Sequence, residues 1–251
     1  MKKLGFAVIT AVIFCMLLAG CLTDAVQSDN PDESYAHGSM IETTYNGLEY
    51  WLYIPQKINN DMPLIVYLHG GSGKGDDPSL IMKSEGLPKY LYEGTVHIDS
   101  YVLVPQLKDD YKNWQNISDK IIQLIELCVK EYGINKNRIS ITGHSMGGTG
   151  TWFFALSYPN VFSAAVPLSG SVKLTEANLR KLMNMPIWAI VGNNDTIVPP
   201  RYSTEFIARL QQINSNAKVT VLEGYDHFDV AAIYLDKDLN VIEWLISQSR
   251  M

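Results

Sequence analysis

The sequence predicts an α/β fold, in which a mostly parallel β-sheet carries helices on both faces and begins with an antiparallel hairpin. Short apolar runs of strand length recur along the chain, and several lack the alternation of apolar and polar residues that marks a half-exposed strand. Amphipathic stretches lie between these runs. The hairpin is indicated by two β-rich runs in "MIETTYNGLEYWLYIP", which Asn46 and Gly47 join in a favoured two-residue turn.

The remaining elements follow the hairpin in order. Six apolar runs predict strands at "PLIVYLHG", "SYVLVPQ", "RISITG", "SAAVPLSG", "PIWAIVGNND" and "KVTVLEG". A helix is expected over "SDKIIQLIELCVKEYG", because apolar residues recur there at helical spacing between Ser118 as N-cap and Gly133 as the stop. A second helix is expected over "MGGTGTWFFALSYP". About fifteen residues separate "PLSG" from "PIWAIV", which leaves room for a crossover helix but not for a large lid.

Length and composition are those of one globular domain. The chain has 251 residues, of which 47% are hydrophobic and 18% charged, so it can bury a full core. The formal net charge is −6 and the basic residues are scattered, which argues against the basic stripe of a nucleic-acid-binding protein. The sequence has no metal-ligand cluster, and "GGSGKGDD" lacks the spacing of a phosphate loop or a dinucleotide fingerprint. We expect no cofactor, no metal and no nucleic-acid partner.

The N-terminus has the features of a bacterial lipoprotein signal in the right order. Two lysines precede the apolar run "LGFAVITAVIFCMLLAG", and "LAGC" ends at Cys21 in a sequence that resembles a lipobox. We expect residues 1–20 to be the signal peptide, 21–40 a flexible tether and 41–251 the catalytic domain. Lipid on Cys21 would fix the protein to the cell membrane outside the cytoplasm. An ordinary signal peptide, or an uncleaved anchor with an incidental cysteine, is the alternative.

Cys128 is the one thiol expected in the mature chain. Cys15 would leave with the signal peptide and Cys21 would be acylated, so no disulfide is expected. Cys128 falls on the apolar face of the first predicted helix. It is therefore expected to be a core residue and not a nucleophile.

Ser145 is the candidate nucleophile. It stands at the centre of Gly143-His144-Ser145-Met146-Gly147, which fits G-x-S-x-G between a predicted strand and a predicted helix. In such an elbow the serine takes a strained backbone conformation, and the glycines let the neighbouring backbone approach closely. The alternative is a glycine-rich turn that contains a serine by chance.

A serine hydroxyl needs a base, an orienting acid and donors for an oxyanion. Asp195 lies just beyond the strand "PIWAIVGNND", and His227 follows the last predicted strand, so the order Ser, Asp, His is kept. The amide N–H groups of Gly71 and Met146 are the candidate oxyanion donors. Asp195 could instead cap a turn or helix. Four other histidines compete as the base, but all precede Asp195: His37, His69, His97 and His144. His69 and His144 flank glycines in the motifs and are expected to stabilise their turns instead.

Together these motifs resemble the α/β-hydrolase family. The resemblance rests on HGG at 69–71, GHSMGG at 143–148, "AAVPLSG", Asp195 with "IVPP", and His227, and it covers nearly the whole domain. The more detailed likeness is to single-domain predicted peptidases, polyhydroxybutyrate depolymerase-like and feruloyl esterase-like proteins related to prolyl oligopeptidase. It implies a serine hydrolase with Ser145, Asp195 and His227 as its triad. In "GYDHFDV", the glycine that often precedes the family's histidine is missing.

The expected substrate is a carboxylic ester on a small or carbohydrate-linked acyl group, because the site has no large lid. Trp114 matches a tryptophan near the substrate groove of related esterases; its alternative role is packing beneath the following helix. A serine peptidase like prolyl oligopeptidase would use the same triad, although the chain has no room for the extra domain that selects peptides. A non-catalytic surface-binding lipoprotein is the third possibility.

Overall fold

A computed structural model describes residues 38–250 of the chain. The predicted signal peptide, Cys21 and nearly all of the predicted tether lie outside the described residues. Within them, eight strands form one sheet in the order β1-β2-β4-β3-β5-β6-β7-β8. The strands are β1 (Ser39–Tyr45), β2 (Leu48–Ile54), β3 (Leu64–Leu68), β4 (Tyr101–Pro105), β5 (Ile139–His144), β6 (Ala164–Leu168), β7 (Ile187–Gly192) and β8 (Ala217–Leu222).

The sheet is mostly parallel, as predicted. β1 pairs antiparallel with β2, and β2 pairs antiparallel with β4, whereas the other neighbouring strands run parallel. Asn46 and Gly47 join β1 to β2 with positive φ angles of 49° and 74°, the conformation that favours these two residues in a tight hairpin. The predicted fold class, including the N-terminal hairpin, is confirmed.

Helices cover both faces of the sheet. Alternate residues of a strand point to opposite faces, so Leu64 and Val66 of β3 join one core and Ile65 and Tyr67 the other. The first core contains the buried residues of α3 to α6, and the second contains those of α1, α2 and α7. The helices are α1 (Ser79–Lys83), α2 (Leu87–Tyr92), α3 (Ser118–Tyr132), α4 (Met146–Ser157), α5 (Glu176–Lys181), α6 (Arg201–Leu210) and α7 (Val241–Ser247). Across residues 38–250, no helix combines the length and the apolar character needed to cross a membrane.

The start of α3 differs from the sequence prediction. A 3-10 helix, Trp114–Ile117, leads directly into α3, so Ser118 is already helical and does not act as the N-cap. The N-cap position of α3 is Ile117, which makes no capping bond through its side chain. The side-chain cap lies one turn earlier, at the start of the 3-10 helix, where Asn113 accepts a hydrogen bond from the N–H of Gln115 at 3.1 Å. Gly133 ends α3 in the left-handed conformation at φ 63°, as predicted.

Cys128 lies in the first core, with no exposed surface. Burial raises the pKa of its thiol to about 12, because the thiolate would be charged in an apolar environment. The thiol therefore stays protonated, and the prediction of a core residue is confirmed.

The parallel arrangement determines where the functional loops meet. β5, β7 and β8 lie in the same half of the sheet and run in the same direction. The segments that follow His144, Gly192 and Leu222 therefore leave the sheet at one edge. Ligands of open α/β sheets bind at this edge, outside the carboxyl ends of the strands.

Candidate active site

Ser145 occupies a strained turn between β5 and α4. Its backbone has φ 58° and ψ −116°, a conformation that L-residues seldom adopt. Its N–H donates to the carbonyl of Leu168 at the end of β6, at 2.9 Å, which helps to hold the turn in place. The serine side chain is half-buried at the edge of the sheet.

The flanking glycines are required by close backbone packing. A Cβ on Gly143 would lie 2.8 Å from the carbonyl oxygen of Gly147, and a Cβ on Gly147 would lie 2.6 Å from the carbonyl carbon of Leu68. A Cβ on Gly148 would lie 3.1 Å from the Cα of Gly170. The distances at Gly143 and Gly147 are below 3.0 Å, which is closer than Cβ atoms approach other heavy atoms in proteins. A larger residue at either position would therefore force the turn to move. This explains the glycine pattern around Ser145 in steric terms.

The three predicted triad residues meet in one hydrogen-bonded chain. Ser145 Oγ lies 2.7 Å from His227 Nε2, and His227 Nδ1 lies 2.7 Å from Asp195 Oδ2. Because the carboxylate can only accept, Nδ1 carries the imidazole proton and Nε2 is left to accept from the serine hydroxyl. Asp195 and His227 are buried, with 5% and 4% of their surfaces exposed. The arrangement is the one that proton transfer from a serine to a histidine requires.

Asp195 is oriented by two further donors. Its Oδ1 accepts hydrogen bonds from the N–H groups of Ile197 at 2.9 Å and Val198 at 2.8 Å. Burial by itself would raise the pKa of the Asp195 carboxyl, but the hydrogen bonds from His227 and these two amides outweigh it and hold the pKa below its ordinary value. Asp195 is therefore ionised at neutral pH and can stabilise a protonated His227.

His144 contacts the loop that carries His227. Its Nε2 donates to the backbone carbonyl of His227 at 2.6 Å, and the two imidazole rings lie 4.8 Å apart. Burial lowers the pKa of His144 to about 4, so its ring is neutral at pH 7. The sequence reasoning assigned His144 to stabilisation of its own turn and missed this contact, which joins two segments that are 83 residues apart.

His69 stabilises the turn that holds Gly71. Its Nδ1 donates to the carbonyl of Gly70 at 2.8 Å, and its Nε2 accepts from the N–H of Leu107 at 3.1 Å. Burial lowers the pKa of His69 to about 4, which keeps the ring neutral. A structural role for this histidine was expected from the sequence.

The proposed oxyanion donors lie on either side of Ser145. A Cβ on Gly70 would lie 3.6 Å from the Cβ of Ser145, so the turn at Gly70 and Gly71 is adjacent to the nucleophile. Gly71 faces open space, and Met146 is the first residue of α4. Within residues 38–250, neither of their N–H groups has a hydrogen-bond acceptor. Their role in binding an oxyanion stays a prediction, and the free amides favour it.

Trp114 does not have the position expected of a groove wall. Only 1% of its surface is exposed, and its Nε1 donates to the carbonyl of His69 at 3.2 Å. Its indole meets the His69 ring edge to face at 4.7 Å, and a Cβ on Gly150 would lie 2.7 Å from it. A buried indole has no face to offer a substrate, so a packing role is the one that fits. The contact with Gly150 is made to α4, whereas the predicted alternative named the following helix, which is α3.

Two exposed apolar side chains stand beside the triad. Phe228 follows His227, is 67% exposed, and has its ring centroid 5.4 Å from that of His227. Ile197, two residues after Asp195, is 56% exposed. The sequence reasoning missed both; their adjacency to two predicted triad residues was the available signal. No group of His, Cys, Asp and Glu side chains in the described part of the chain is arranged to hold a metal ion.

A model of the phospholipase/carboxylesterase family matches residues 97–232, more than half of the chain. The chain belongs to this family. The predicted resemblance to α/β hydrolases is therefore confirmed. The matched residues include Ser145, Asp195 and His227, and the hairpin β1–β2 lies outside the matched region.

This phospholipase/carboxylesterase family member has several esterases among its relatives. It is 26% identical over 157 residues to a bifunctional acetylxylan esterase/xylanase of Neocallimastix patriciarum, with 61% of this chain and 22% of the relative covered. It is 25% identical over 136 residues to feruloyl esterase B of Talaromyces funiculosus, with 49% and 36% covered. The chain therefore spans less than half the length of either relative.

Solved structures show the same fold. A thermostable esterase superposes with a TM-score of 0.70 at 26% identity, over 85% of this chain and 63% of the other. The feruloyl esterase module from Clostridium thermocellum superposes with a TM-score of 0.63 at 17% identity, over 84% and 92%. The second likeness concerns the fold alone.

Proposed function

We propose that this protein is a serine hydrolase that cleaves carboxylic esters through an acyl-enzyme intermediate. The observation that carries the proposal is the continuous hydrogen-bonded chain from Ser145 Oγ through His227 to Asp195, with both links at 2.7 Å. Its family and the esterases among its relatives support the same chemistry.

The reaction follows from the geometry in two halves. In the first, His227 Nε2 takes the hydroxyl proton as Ser145 Oγ attacks the ester carbonyl carbon, and the amides of Gly71 and Met146 bind the oxyanion that forms. The ionised Asp195 stabilises the protonated imidazole. His227 then gives this proton to the departing alkoxide, which leaves as an alcohol. In the second half, a water molecule loses a proton to His227 and attacks the acyl carbon, and Ser145 is released with its hydroxyl restored.

The surroundings of the triad suit small acyl groups or acyl groups attached to a carbohydrate. Within residues 38–250, the segment between β6 and β7 contains only the six-residue helix α5 and no large lid. Phe228 and Ile197 provide apolar surface beside His227 and Asp195. The names of the relatives include acetylxylan and feruloyl esterases, which supports esters carried on plant polysaccharides as the class to test first.

The proposal includes an extracytoplasmic location. The lipobox-like "LAGC" supports lipidation of Cys21 after removal of residues 1–20. Two or more acyl chains would hold the catalytic domain at the membrane surface, because one chain alone binds only reversibly. The tether would then carry the domain; it ends earlier than residue 40, because β1 already begins at Ser39 and pairs with β2 there.

Substrate preference separates an esterase from a peptidase with the same triad. Amide cleavage requires accurate protonation of a poor leaving group and a peptide held on both sides of the bond, and an open site provides little such alignment. We expect the kcat/KM of the purified full chain for short-chain aryl esters, acetylated sugars or methyl ferulate to exceed that for a prolyl peptide by at least ~100-fold, about 2.7 kcal/mol in activation free energy. Ser145→Ala gives the background for every substrate. If the prolyl peptide is cleaved as fast as the esters, the esterase assignment is wrong and the protein is a serine peptidase with the same triad.

A further inference from the structure

A second recess lies at the opposite edge of the sheet from the triad. It has a volume of 1210 Å³ and is bordered by the segments that precede β6, β7 and β8 and by the end of α7. We call it the basal groove. Strands of five or six residues at about 3.3 Å per residue hold the two edges roughly 20 Å apart, so the basal groove is a separate site from the triad. The residues used below to define it are Lys181, Asn184, Asn216, Lys218, Trp244 and Arg250.

The basal groove is positively charged in an acidic protein. Lys181, Lys218 and Arg250 line it, and no Asp or Glu of the described chain does so, although the whole chain carries a net charge of −6. Among residues 38–250, none of these three cations forms an ion pair with a carboxylate. Three cations that form no ion pair within residues 38–250 give the recess a positive potential that attracts anions.

Lys218 is held in place by two indole rings. Its Nζ lies 3.5 Å from the ring centroid of Trp188 and 5.2 Å from that of Trp244, and the two rings meet edge to face at 5.5 Å. Cation–π contacts of this kind orient an ammonium group but do not neutralise it. The charge of Lys218 is thus fixed at the groove and is available to a ligand.

Arg250 is held at the border of the same groove by hydrogen bonds. Its Nη2 donates to the carbonyl of Lys136 at 2.6 Å and to Asn137 Oδ1 at 3.2 Å. Its Nε is buried and has no hydrogen-bond partner within residues 38–250. The two Nη2 bonds hold the guanidinium against residues 136 and 137 at the border of the basal groove, where its positive charge adds to those of Lys181 and Lys218.

The uncharged lining points to a sugar polymer as the source of the anion. Asn184 and Asn216 offer amides that can donate to and accept from hydroxyl groups, and the half-buried Trp244 offers aromatic surface. We propose that the basal groove binds an acidic polysaccharide, whose carboxylates pair with Lys181, Lys218 and Arg250. The inference rests on the proposed function in one respect: a polymer bound in the basal groove would raise the local concentration of its own ester groups near Ser145.

Affinity electrophoresis of the purified full chain with Ser145→Ala tests binding without hydrolysis. Glucuronoxylan is the acidic probe and arabinoxylan the neutral one. We expect retardation by glucuronoxylan that weakens as salt is added, and little retardation by arabinoxylan. Adding Lys181→Gln and Lys218→Gln should raise the dissociation constant for glucuronoxylan about fivefold or more. The matched control is Lys57→Gln with Lys237→Gln, two exposed lysines outside the basal groove, which change the net charge equally and should leave binding unchanged.

Three results would overturn the proposal. The first is equal binding of glucuronoxylan and arabinoxylan, and the second is an equal loss of glucuronoxylan affinity in the groove pair and in the control pair of lysine variants. The third is binding to phosphatidylglycerol vesicles that depends on Lys181 and Lys218, without binding to glucuronoxylan. Thermal unfolding checks that each pair folds. If the variant with both groove lysines replaced does not fold, amide hydrogen exchange of Ser145→Ala is measured with and without glucuronoxylan. We expect glucuronoxylan to slow exchange at 181–186 and 213–218, and unchanged exchange there would contradict the site. Aryl-ester hydrolysis by the unsubstituted chain is measured separately, so a failure of the basal groove and a failure of the esterase assignment are distinguishable.

Discussion

Replacing Asp195 with Asn should lower kcat by roughly 10⁴-fold while the fold is retained. Asp195 Oδ1 accepts two backbone N–H groups, so the asparagine must keep its oxygen on that side. Its NH₂ group then faces His227 Nδ1 and donates to it. The imidazole proton is thereby moved to Nε2, which can only donate to Ser145 Oγ and cannot accept its proton. The loss corresponds to about 5.5 kcal/mol in activation free energy.

The assay is kcat for an aryl acetate at saturating concentration, with the thermal unfolding midpoint as the check on folding. Asp226→Asn is the matched control, because Asp226 precedes His227 but is exposed and accepts from the N–H groups of Phe228 and Asp229. An asparagine oxygen can accept the same bonds, so kcat should change by less than about threefold. The reasoning is refuted if Asp195→Asn keeps kcat within tenfold of the unsubstituted chain, or if the two variants lose equal activity.

Three further predictions concern the pH dependence of stability, the exposed Phe228 beside the triad, and the lipid anchor at Cys21. Because burial lowers the pKa of His69 and His144 to about 4, the unfolded chain takes up protons below about pH 6.5 that the folded chain does not, so stability falls as pH drops from 6.5 towards 4. Urea unfolding should show a loss of about 2 kcal/mol per histidine by pH 5, and equal free energies at pH 7 and pH 5 would contradict this. Phe228→Ala should lower kcat/KM for methyl ferulate about fivefold or more, with little effect on an aryl acetate. Ile58, which is exposed to a similar degree away from the triad, is the control, and Ile58→Ala should change neither value. Equal losses on both esters would contradict a role for Phe228 in contacting the larger substrate. Cys21→Ser should abolish metabolic labelling by a fatty-acid analogue, and equal labelling of both chains would reduce the lipobox to an ordinary signal or anchor.

The sequence predicted most of the fold because its signals are local. Buried strands appear as short apolar runs, the hairpin as Asn46-Gly47, and the end of α3 as Gly133, each within a few residues of the element concerned. The start of α3 was predicted to within one residue, but Ser118 is its first residue and not its cap, because a 3-10 turn precedes it. Ser118 and Asn113 are both good capping residues, and the geometry of the whole turn, not residue type, selects Asn113.

The residues of the site also fall into two classes, those with a local sequence signal and those whose role depends on contacts between distant segments. Ser145 was predictable because its strained turn needs glycines at fixed offsets, and Asp195 and His227 because chain order and strand ends restrict the choice. The contact of His144 with the carbonyl of His227 joins distant segments through one ring nitrogen, and no local pattern encodes it. Trp114 was assigned from resemblance, whereas its burial depends on packing against His69 and Gly150.

The most direct test of the esterase assignment is fluorophosphonate labelling of the purified full chain, followed by mass spectrometry of its peptides. A fluorophosphonate reacts with a serine whose hydroxyl is activated by an adjacent base, so the account predicts one adduct, on Ser145. Ser145→Ala should take up no label and should lose hydrolysis of a simple aryl ester, with its unfolding midpoint little changed because only a small hydroxyl is removed from the elbow. An adduct on another residue, or full ester hydrolysis by Ser145→Ala, would contradict the account.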